Sequence, residues 1–303
     1  MAARRLSERQ RYPELIRLRV PEGRPVRLAG RGTTWVREVP GPAGAPVLML
    51  LHGLSATGAL NWAPAFAALS EHYRVVALDH RGHGRGIRST HFRLVDCADD
   101  VAALADQLGV DRFAAVGYSM GGPIAQLTWR RHRDRVSGLV LCATARDFGG
   151  RLSERGRLVG MGVLGAGLGV VPAGVGRAGW AAVSRVFTAE MTDPRLRDWT
   201  AEELRGNDAR LVLEAAGELG RFTSRGWIGS VDVPTAVIAT RRDQLVPFHR
   251  QLKLAAAVPG AVVEAIDADH FAITRAPDAF VAALVRACAR ATRGSLRPTS
   301  RPA

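Results

Sequence analysis

The stretch "AVGYSMGGP", residues 115–123, places a serine between glycines directly after an apolar run and before a predicted helix. Gly117 and Gly121 lack the side chains that would collide where a helix turns back sharply onto a strand. A serine that merely caps a helix is the structural alternative, since serine is common at that position. The strand, turn and helix around Ser119 favour a hydroxyl held on a tight bend, as a nucleophile requires.

Eight short runs predict strands on either side of this bend. Two of them, "PVRLAG" (25–30) and "TTWVREV" (33–39), flank turn glycines and predict an antiparallel start. The other six are apolar without polar alternation, which is typical of strands buried on both faces of a parallel sheet. These six are "VLMLL" (47–51), "RVVAL" (74–78), "RFAAV" (112–116), "SGLVLC" (137–142), "TAVIAT" (235–240) and "AVVEAI" (261–266).

Helical patterns separate most of these strands. They cover roughly residues 62–72, 94–108, 120–131, 248–258 and 277–292. The alternation predicts an α/β fold, with a mostly parallel eight-stranded open sheet flanked by helices. In such sheets, ligand sites lie at the carboxyl ends of the strands.

One interval is far longer than an ordinary loop, and it predicts an inserted, mainly helical cap over residues 147–230. The predicted core is then 25–146 together with 231–292, between a basic tail (1–24) and a disordered tail (293–303). Within the cap, Leu158 to Gly176 carries no charge. Its many glycines argue against a membrane span, so we interpret it as a lid over a pocket, with peripheral lipid contact as the alternative.

The composition is that of an ordinary globular protein, with 303 residues, 47% of them hydrophobic, and a formal net charge of +14. Lys253 is the only lysine, so the charge comes from arginine, as a GC-rich genome would produce. No basic patch interleaved with aromatic residues is present, and we expect no nucleic-acid partner. The three cysteines suggest neither a disulfide framework nor a zinc site. Without a signal-peptide pattern, a cytoplasmic location is expected.

A serine nucleophile needs a base, and the base needs a carboxylate to hold its tautomer. His270 follows the last predicted strand, so it lies at the same edge of the sheet as Ser119, whereas His249 begins a helix. Asp243 follows "TAVIAT" at that edge, and Asp147 follows "SGLVLC". We therefore expect Ser119, His270 and Asp243 to converge, with Asp147 as the alternative acid.

The reaction also needs two preorganised donors for a developing oxyanion. In "LLHGLSATG", residues 50–58, a strand ends at Leu51, and the following turn would present the Leu54 amide toward the serine. Met120, directly after Ser119, would supply the second amide.

Five motifs in this order resemble the α/β-hydrolase superfamily. They are "LLHGLSATG", "ALDHRGHGRG", "AAVGYSMGGPIAQ", "TRRDQLVP" and "DADHF", and the resemblance to single-domain bacterial esterases extends from about residue 25 to 290. It implies Ser119, Asp243 and His270 as the triad, with Leu54 and Met120 as oxyanion donors. One departure is Gly86, where relatives usually carry serine.

The predicted function is hydrolysis of small or lipophilic carboxylic esters through an acyl-enzyme, on a small-molecule substrate. Related thioester, lactone, carbon–carbon or acyl-transfer chemistry and a non-catalytic ligand sensor are the alternatives. No cofactor is expected, because Ile87 stands where a dinucleotide-binding GxGxxG motif needs glycine. His80 and His83 have a spacing that metal ligands can show, but no third ligand is nearby, so no metal is expected.

Overall fold

The structure, a computed structural model, describes residues 20–149, 152–167 and 194–293. Most of the predicted basic tail, residues 168–193 of the predicted cap and residues 294–303 lie outside the described residues. Val20 is buried, and the first strand begins at Gly23, two residues before its predicted start.

All eight predicted strands are present and form one sheet. Its order is β1-β2-β4-β3-β5-β6-β7-β8; β2 pairs antiparallel with β1 and β4, and the other pairs are parallel. After β3 the chain returns to form β4 between β2 and β3, and it then crosses to the other side of β3 to form β5. The strands are β1 (Gly23–Leu28), β2 (Gly32–Val39), β3 (Val47–Leu51), β4 (Arg74–Leu78), β5 (Phe113–Tyr118), β6 (Val136–Cys142), β7 (Thr235–Thr240) and β8 (Val262–Ile266).

The last strand differs from its prediction. The sequence predicts burial on both faces of β8, but Val263 is 39% exposed and burial alternates along the strand. One face packs against the C-terminal helix, where Glu264 binds Arg286 at 3.0 Å. Because β8 lies at the edge of the sheet, its second face is incompletely covered, although all its residues except Glu264 are apolar.

Ten helices are seen in the described residues, with one 3₁₀ turn at Ile228–Ser230. The helix expected over 62–72 covers only Phe66–Ser70, and a separate helix, Gly58–Trp62, precedes it; Pro64 lies between them and has no amide hydrogen to extend the first one. The helices are α1 (Gly58–Trp62), α2 (Phe66–Ser70), α3 (Leu94–Gln107), α4 (Gly121–Arg131), α5 (Leu152–Gly167), α6 (Pro194–Arg205), α7 (Ala209–Arg221), α8 (Phe248–Ala257), α9 (Ala272–Arg275) and α10 (Pro277–Ala291).

The sheet lies between two hydrophobic layers. Met49 and Leu51 of β3 face a layer that includes α3 and α4, and Leu48 and Leu50 face the layer of α1, α2 and α10. Alternate side chains of a strand point to opposite faces, so an interior strand covered on both sides must be apolar throughout. This accounts for the uninterrupted apolar runs that the sequence shows.

Three helices, α5 to α7, occupy the described part of the interval between β6 and β7. Leu211 of α7 is fully buried, belongs to the same hydrophobic layer as Met49, and packs against Gly82. The α6–α7 segment is thus fixed to the loops at the carboxyl ends of the strands. Within residues 20–149, 152–167 and 194–293, none of the helices combines the length and apolar character that crossing a bilayer requires.

Candidate active site

Ser119 occupies a strained bend between β5 and α4. Its φ is +51°, in the left-handed region that residues other than glycine rarely adopt. A side chain at Gly117 would collide with the carbonyl group of Gly121, and one at Gly121 would collide with the Leu51 carbonyl. The Ser119 amide donates to the Cys142 carbonyl at 2.9 Å, which ties the bend to β6. The glycines therefore permit the close approach, and the bend holds the serine at the carboxyl end of the sheet.

A continuous chain of hydrogen bonds joins three predicted residues. His270 Nδ1 lies 2.8 Å from Asp243 Oδ2, and its Nε2 lies 2.9 Å from Ser119 Oγ. A carboxylate accepts hydrogen bonds, so the ring proton is on Nδ1 and Nε2 accepts from the serine hydroxyl. This is the arrangement in which a histidine can remove the serine proton.

Asp243 is fully enclosed and firmly oriented. Its Oδ1 accepts from the amides of Leu245 (2.9 Å) and Val246 (2.8 Å), and its Oδ2 accepts from the Thr240 hydroxyl (2.8 Å) as well as from His270. The carboxylate is thus held by its own loop, independently of the histidine that it orients.

The alternative acid lies elsewhere. Asp147 binds the Arg225 guanidinium through both carboxylate oxygens, at 2.8 and 3.1 Å, and its backbone bridges to Thr223. The structure therefore brings Asp243, and not Asp147, to His270.

Three hydrogen bonds hold Gly53, the residue that begins the turn after β3. The Gly53 amide donates to Asn61 Oδ1 at 2.8 Å, and the Gly53 carbonyl accepts from His52 Nδ1 (2.8 Å) and from the Ala56 amide (3.3 Å). Because the peptide bond is planar and trans, the orientation of the Gly53 carbonyl fixes the direction of the Leu54 N–H.

The predicted oxyanion donors both lie next to Ser119. A Cβ at Gly53 would be 3.5 Å from the Ser119 Cβ, so the turn that carries Leu54 borders the serine, and Met120 follows it in the chain. Within the part of the chain that the structure describes, neither the Leu54 nor the Met120 amide donates a hydrogen bond. Both N–H groups therefore have no acceptor among the described residues.

Three buried histidines lie behind that turn. The ring of His52 is 4.2 Å from that of His80 and 5.3 Å from that of His83, measured between centroids. The His80 amide donates to His52 Nε2 at 2.9 Å, which leaves the proton of His52 on Nδ1, facing Gly53. Burial lowers the pKa of His80 to about 3, that of His83 to about 4, and that of His52 well below its usual value.

These rings are therefore neutral at pH 7, and His52 keeps the tautomer that orients the turn. Among the described residues, no group of three or more His, Cys, Asp or Glu side chains is arranged to hold a metal ion.

The glycine turn after β4 accounts for the departure at Gly86. A side chain there would collide with the His80 carbonyl oxygen. A serine side chain does not fit this backbone.

Several supporting residues are missed by the sequence analysis. The Tyr118 hydroxyl donates to the His270 carbonyl at 2.6 Å, the Thr144 hydroxyl donates to the Ser119 carbonyl at 2.8 Å, and Gln251 Nε2 donates to Thr240 Oγ1 at 2.9 Å. The signal for Asn61 and Gln251 is a single polar residue on a buried helical face. No comparable signal marks Thr144, which lies in a loop.

Comparison with known proteins identifies the family and fold that this chain resembles. A family model described as alpha/beta hydrolase fold matches residues 46–156. A candidate carbamate hydrolase named RutD, from Serratia proteamaculans, is 30% identical over 247 residues, which cover 75% of this chain and 88% of that protein. The magnesium-chelatase 30 kDa subunit of Rhodobacter capsulatus is 30% identical over 265 residues, covering 78% of this chain and 84% of the subunit.

Among solved structures, the enol-lactonase of Burkholderia xenovorans superposes with a TM-score of 0.70. It is 23% identical, and the match covers 88% of this chain and 99% of the lactonase. At this identity the likeness concerns the fold.

Proposed function

This chain belongs to the α/β-hydrolase family, and we propose that it is a serine hydrolase that cleaves carboxylic esters through an acyl-enzyme intermediate. The observation that carries the proposal is the unbroken path of hydrogen bonds from Asp243 through His270 to Ser119. A hydroxyl is a weak nucleophile at neutral pH until a positioned base takes its proton. The site offers that base already oriented.

In the acylation step, Ser119 Oγ attacks the ester carbonyl while His270 Nε2 takes the hydroxyl proton. The carbonyl oxygen becomes an oxyanion, and the Leu54 and Met120 amides stabilise it. Buried Asp243 stabilises the imidazolium that forms. His270 then gives its proton to the departing alkoxide, so the ester C–O bond breaks and the alcohol leaves.

Deacylation repeats the same steps with water. His270 takes a proton from water, the hydroxide attacks the acyl-enzyme carbonyl, and the same two amides hold the second oxyanion. Collapse returns the proton to Ser119 and releases the acid. Over the whole cycle, one ester and one water are consumed, and one alcohol and one carboxylic acid are released.

The substrate class is proposed as small or lipophilic acyl esters, with thioesters, lactones, carbon–carbon bonds and acyl transfer as related chemistry. Carbamates are a second candidate, because a relative named for carbamate hydrolysis aligns with 75% of this chain. Attack on a carbamate carbonyl needs the same nucleophile, base and oxyanion donors.

A fluorophosphonate probe tests the nucleophile. We expect the wild type to be labelled at Ser119, and Ser119→Ala to lose both labelling and p-nitrophenyl butyrate hydrolysis. Ser70→Ala, which removes a hydroxyl at the end of α2, is the matched control and should retain both. Labelling that persists in Ser119→Ala would refute the assignment.

A panel of p-nitrophenyl acetate, butyrate and octanoate, a lactone and an aryl carbamate then orders the substrate classes by kcat/KM. Saturable binding of these compounds without turnover of any would instead favour a ligand sensor on the hydrolase fold.

A further inference from the structure

The turn that presents the Leu54 amide contains a second strained residue. Gly53 to Ala56 form a four-residue turn closed by the bond from the Ala56 amide to the Gly53 carbonyl. Ser55, the third residue, has a φ of +65°. Glycine is preferred at that position in turns with a positive φ, so a serine there needs support from outside the turn.

That support comes from the segment between α6 and α7. The Asn207 Nδ2 donates to the Ser55 carbonyl at 2.9 Å, while its Oδ1 accepts from the Gly84 amide at 2.6 Å. The residue is only 7% exposed, and its side chain bridges two core loops. Its neighbour is fixed as well, because the Asp208 amide donates to the Gly82 carbonyl at 2.7 Å.

We propose that Asn207 is a positioning residue for the oxyanion hole, acting through Ser55 to hold the Leu54 amide toward Ser119. The inference rests on the proposed function, since it assumes that the Leu54 amide stabilises an oxyanion. Asn207 does not touch the substrate. It keeps Ser55 in the left-handed conformation and so fixes the turn whose first peptide carries the donor.

The consequence is that the helical insertion contributes to the chemical step. Asn207 lies 152 positions from Ser55, and the bond joins the predicted cap segment to the turn after β3. A change confined to the α6–α7 junction should therefore alter transition-state stabilisation, while binding of the neutral ester stays nearly constant.

The test is Asn207→Asp, which preserves shape and the acceptor for the Gly84 amide but replaces the donor to Ser55 with an oxygen. We expect kcat for p-nitrophenyl butyrate to fall about tenfold to a hundredfold, with KM within twofold, because losing one oxyanion donor entirely costs about 10²–10³ in kcat. The rate constant for fluorophosphonate labelling should fall in parallel.

Asp208→Asn is the matched control. It makes the reverse isosteric exchange one residue along, at a side chain that caps α7 through the Arg210 and Leu211 amides. Its kcat should stay within twofold of wild type. An equal loss of kcat in Asp208→Asn, or a kcat for Asn207→Asp within twofold of wild type, would overturn the proposal.

The pH profile of kcat distinguishes a loss of positioning in Asn207→Asp from an electrostatic effect of the new carboxylate. Loss of positioning lowers the plateau of kcat and leaves the acidic limb in place. A limb displaced to higher pH, with the full rate recovered there, would mean that the new carboxylate acts on His270 and would overturn the proposal.

A double-mutant cycle with Ser55→Gly tests the proposed route separately from any general loss of folding in Asn207→Asp. Glycine adopts a positive φ without strain, so Asn207→Asp should cost less in the Ser55→Gly background than in wild type. Equal costs in both backgrounds would contradict the proposed route through Ser55.

Failure of the proposed function gives a different pattern. If the wild type turns over no ester but is labelled by the probe, the labelling rates of wild type and Asn207→Asp still decide the inference. If the wild type is not labelled, Ser119 is no nucleophile, and both proposals are wrong.

Discussion

Ser119 shows how a single residue is held in a conformation that it would not adopt alone. A left-handed φ at a residue other than glycine costs about 1–3 kcal/mol, and the surrounding fold must supply that free energy. Here the Ser119 amide binds the Cys142 carbonyl, and the Ser119 carbonyl accepts from Thr144. The strain fixes the direction of the hydroxyl toward His270, which a relaxed loop would not do.

Asp243, the acid that orients His270, gives a prediction for a single substitution. Asp243→Asn keeps the volume of the side chain, but its amide nitrogen would donate to His270 Nδ1 and force the ring proton onto Nε2, where it cannot accept from Ser119. We expect kcat to fall by about 10³–10⁴ with KM little changed, as measured on p-nitrophenyl butyrate.

Asp147→Asn is the paired control for that measurement, because Asp147 binds Arg225. It should retain kcat within about threefold of wild type. A loss in Asp147→Asn as large as that in Asp243→Asn would show that the alternative acid serves the reaction.

Among the helices and strands, α5 and α7 show how glycines can act in packing. Their backbones approach so closely at Gly162 and Gly217 that a Cβ at Gly217 would lie 2.6 Å from the Cα of Gly162. At Gly156 of α5, by contrast, no atom of the described residues lies within 4 Å of the Cβ position, apart from its chain neighbours and the backbone of its own helix. The glycine-rich sequence of α5, which we interpreted as part of a lid, therefore includes at least one position fixed by helix packing.

The same substitution at these two positions should have opposite effects. Gly217→Ala is expected to lower the free energy of unfolding by about 1–3 kcal/mol, because the added methyl group forces the helices apart. Gly156→Ala is expected to raise it by up to about 1 kcal/mol through better helix propensity. Urea unfolding measures both, and a stabilised Gly217→Ala would contradict the close packing.

At the scale of the whole molecule, the sheet brings together groups that are distant in the sequence. Ser119 and His270 are 151 positions apart, yet their side chains are in hydrogen-bond contact. Parallel strands place their carboxyl ends at one edge, so a loop from β5, one from β7 and one from β8 meet there. The buried histidines beneath the β3 turn are a further product of this convergence.

Because the three buried histidines have lowered pKa values, we expect the free energy of unfolding to decrease in acid. In the unfolded chain they take up protons below their usual pKa of 6.5, whereas in the fold the pKa of His83 is about 4 and that of His80 about 3. The unfolded state therefore binds more protons as the pH falls below 6.5, and stability decreases. Each such histidine adds up to about 1.4 kcal/mol per pH unit to the slope.

The measurement is the free energy of unfolding in urea at several pH values between 7 and 4.5. His80→Leu removes one titrating ring whose nitrogens have no hydrogen-bond partner among the described residues. Its slope should be shallower than that of wild type by about 1.4 kcal/mol per pH unit below pH 5.5. Identical slopes for the two proteins would show that His80 is already protonated in the fold.

The sequence alone determined the strands, the bend at Ser119 and the loops that carry Asp243 and His270. These features follow from local rules: apolar runs make buried strands, glycines permit the sharp turn, and a polar residue after a parallel strand lies at the active edge. The same rules left Asp147 open as an acid, because its place after β6 is locally equivalent.

Only the tertiary structure decided between the two carboxylates, since that choice depends on which long-range partner each one meets. It also exposed one face of β8, grouped His52 with His80 and His83, and joined Asn207 to Ser55. Each of these outcomes depends on packing between segments that are far apart in the chain. Residue type and local spacing do not show which distant segments come into contact.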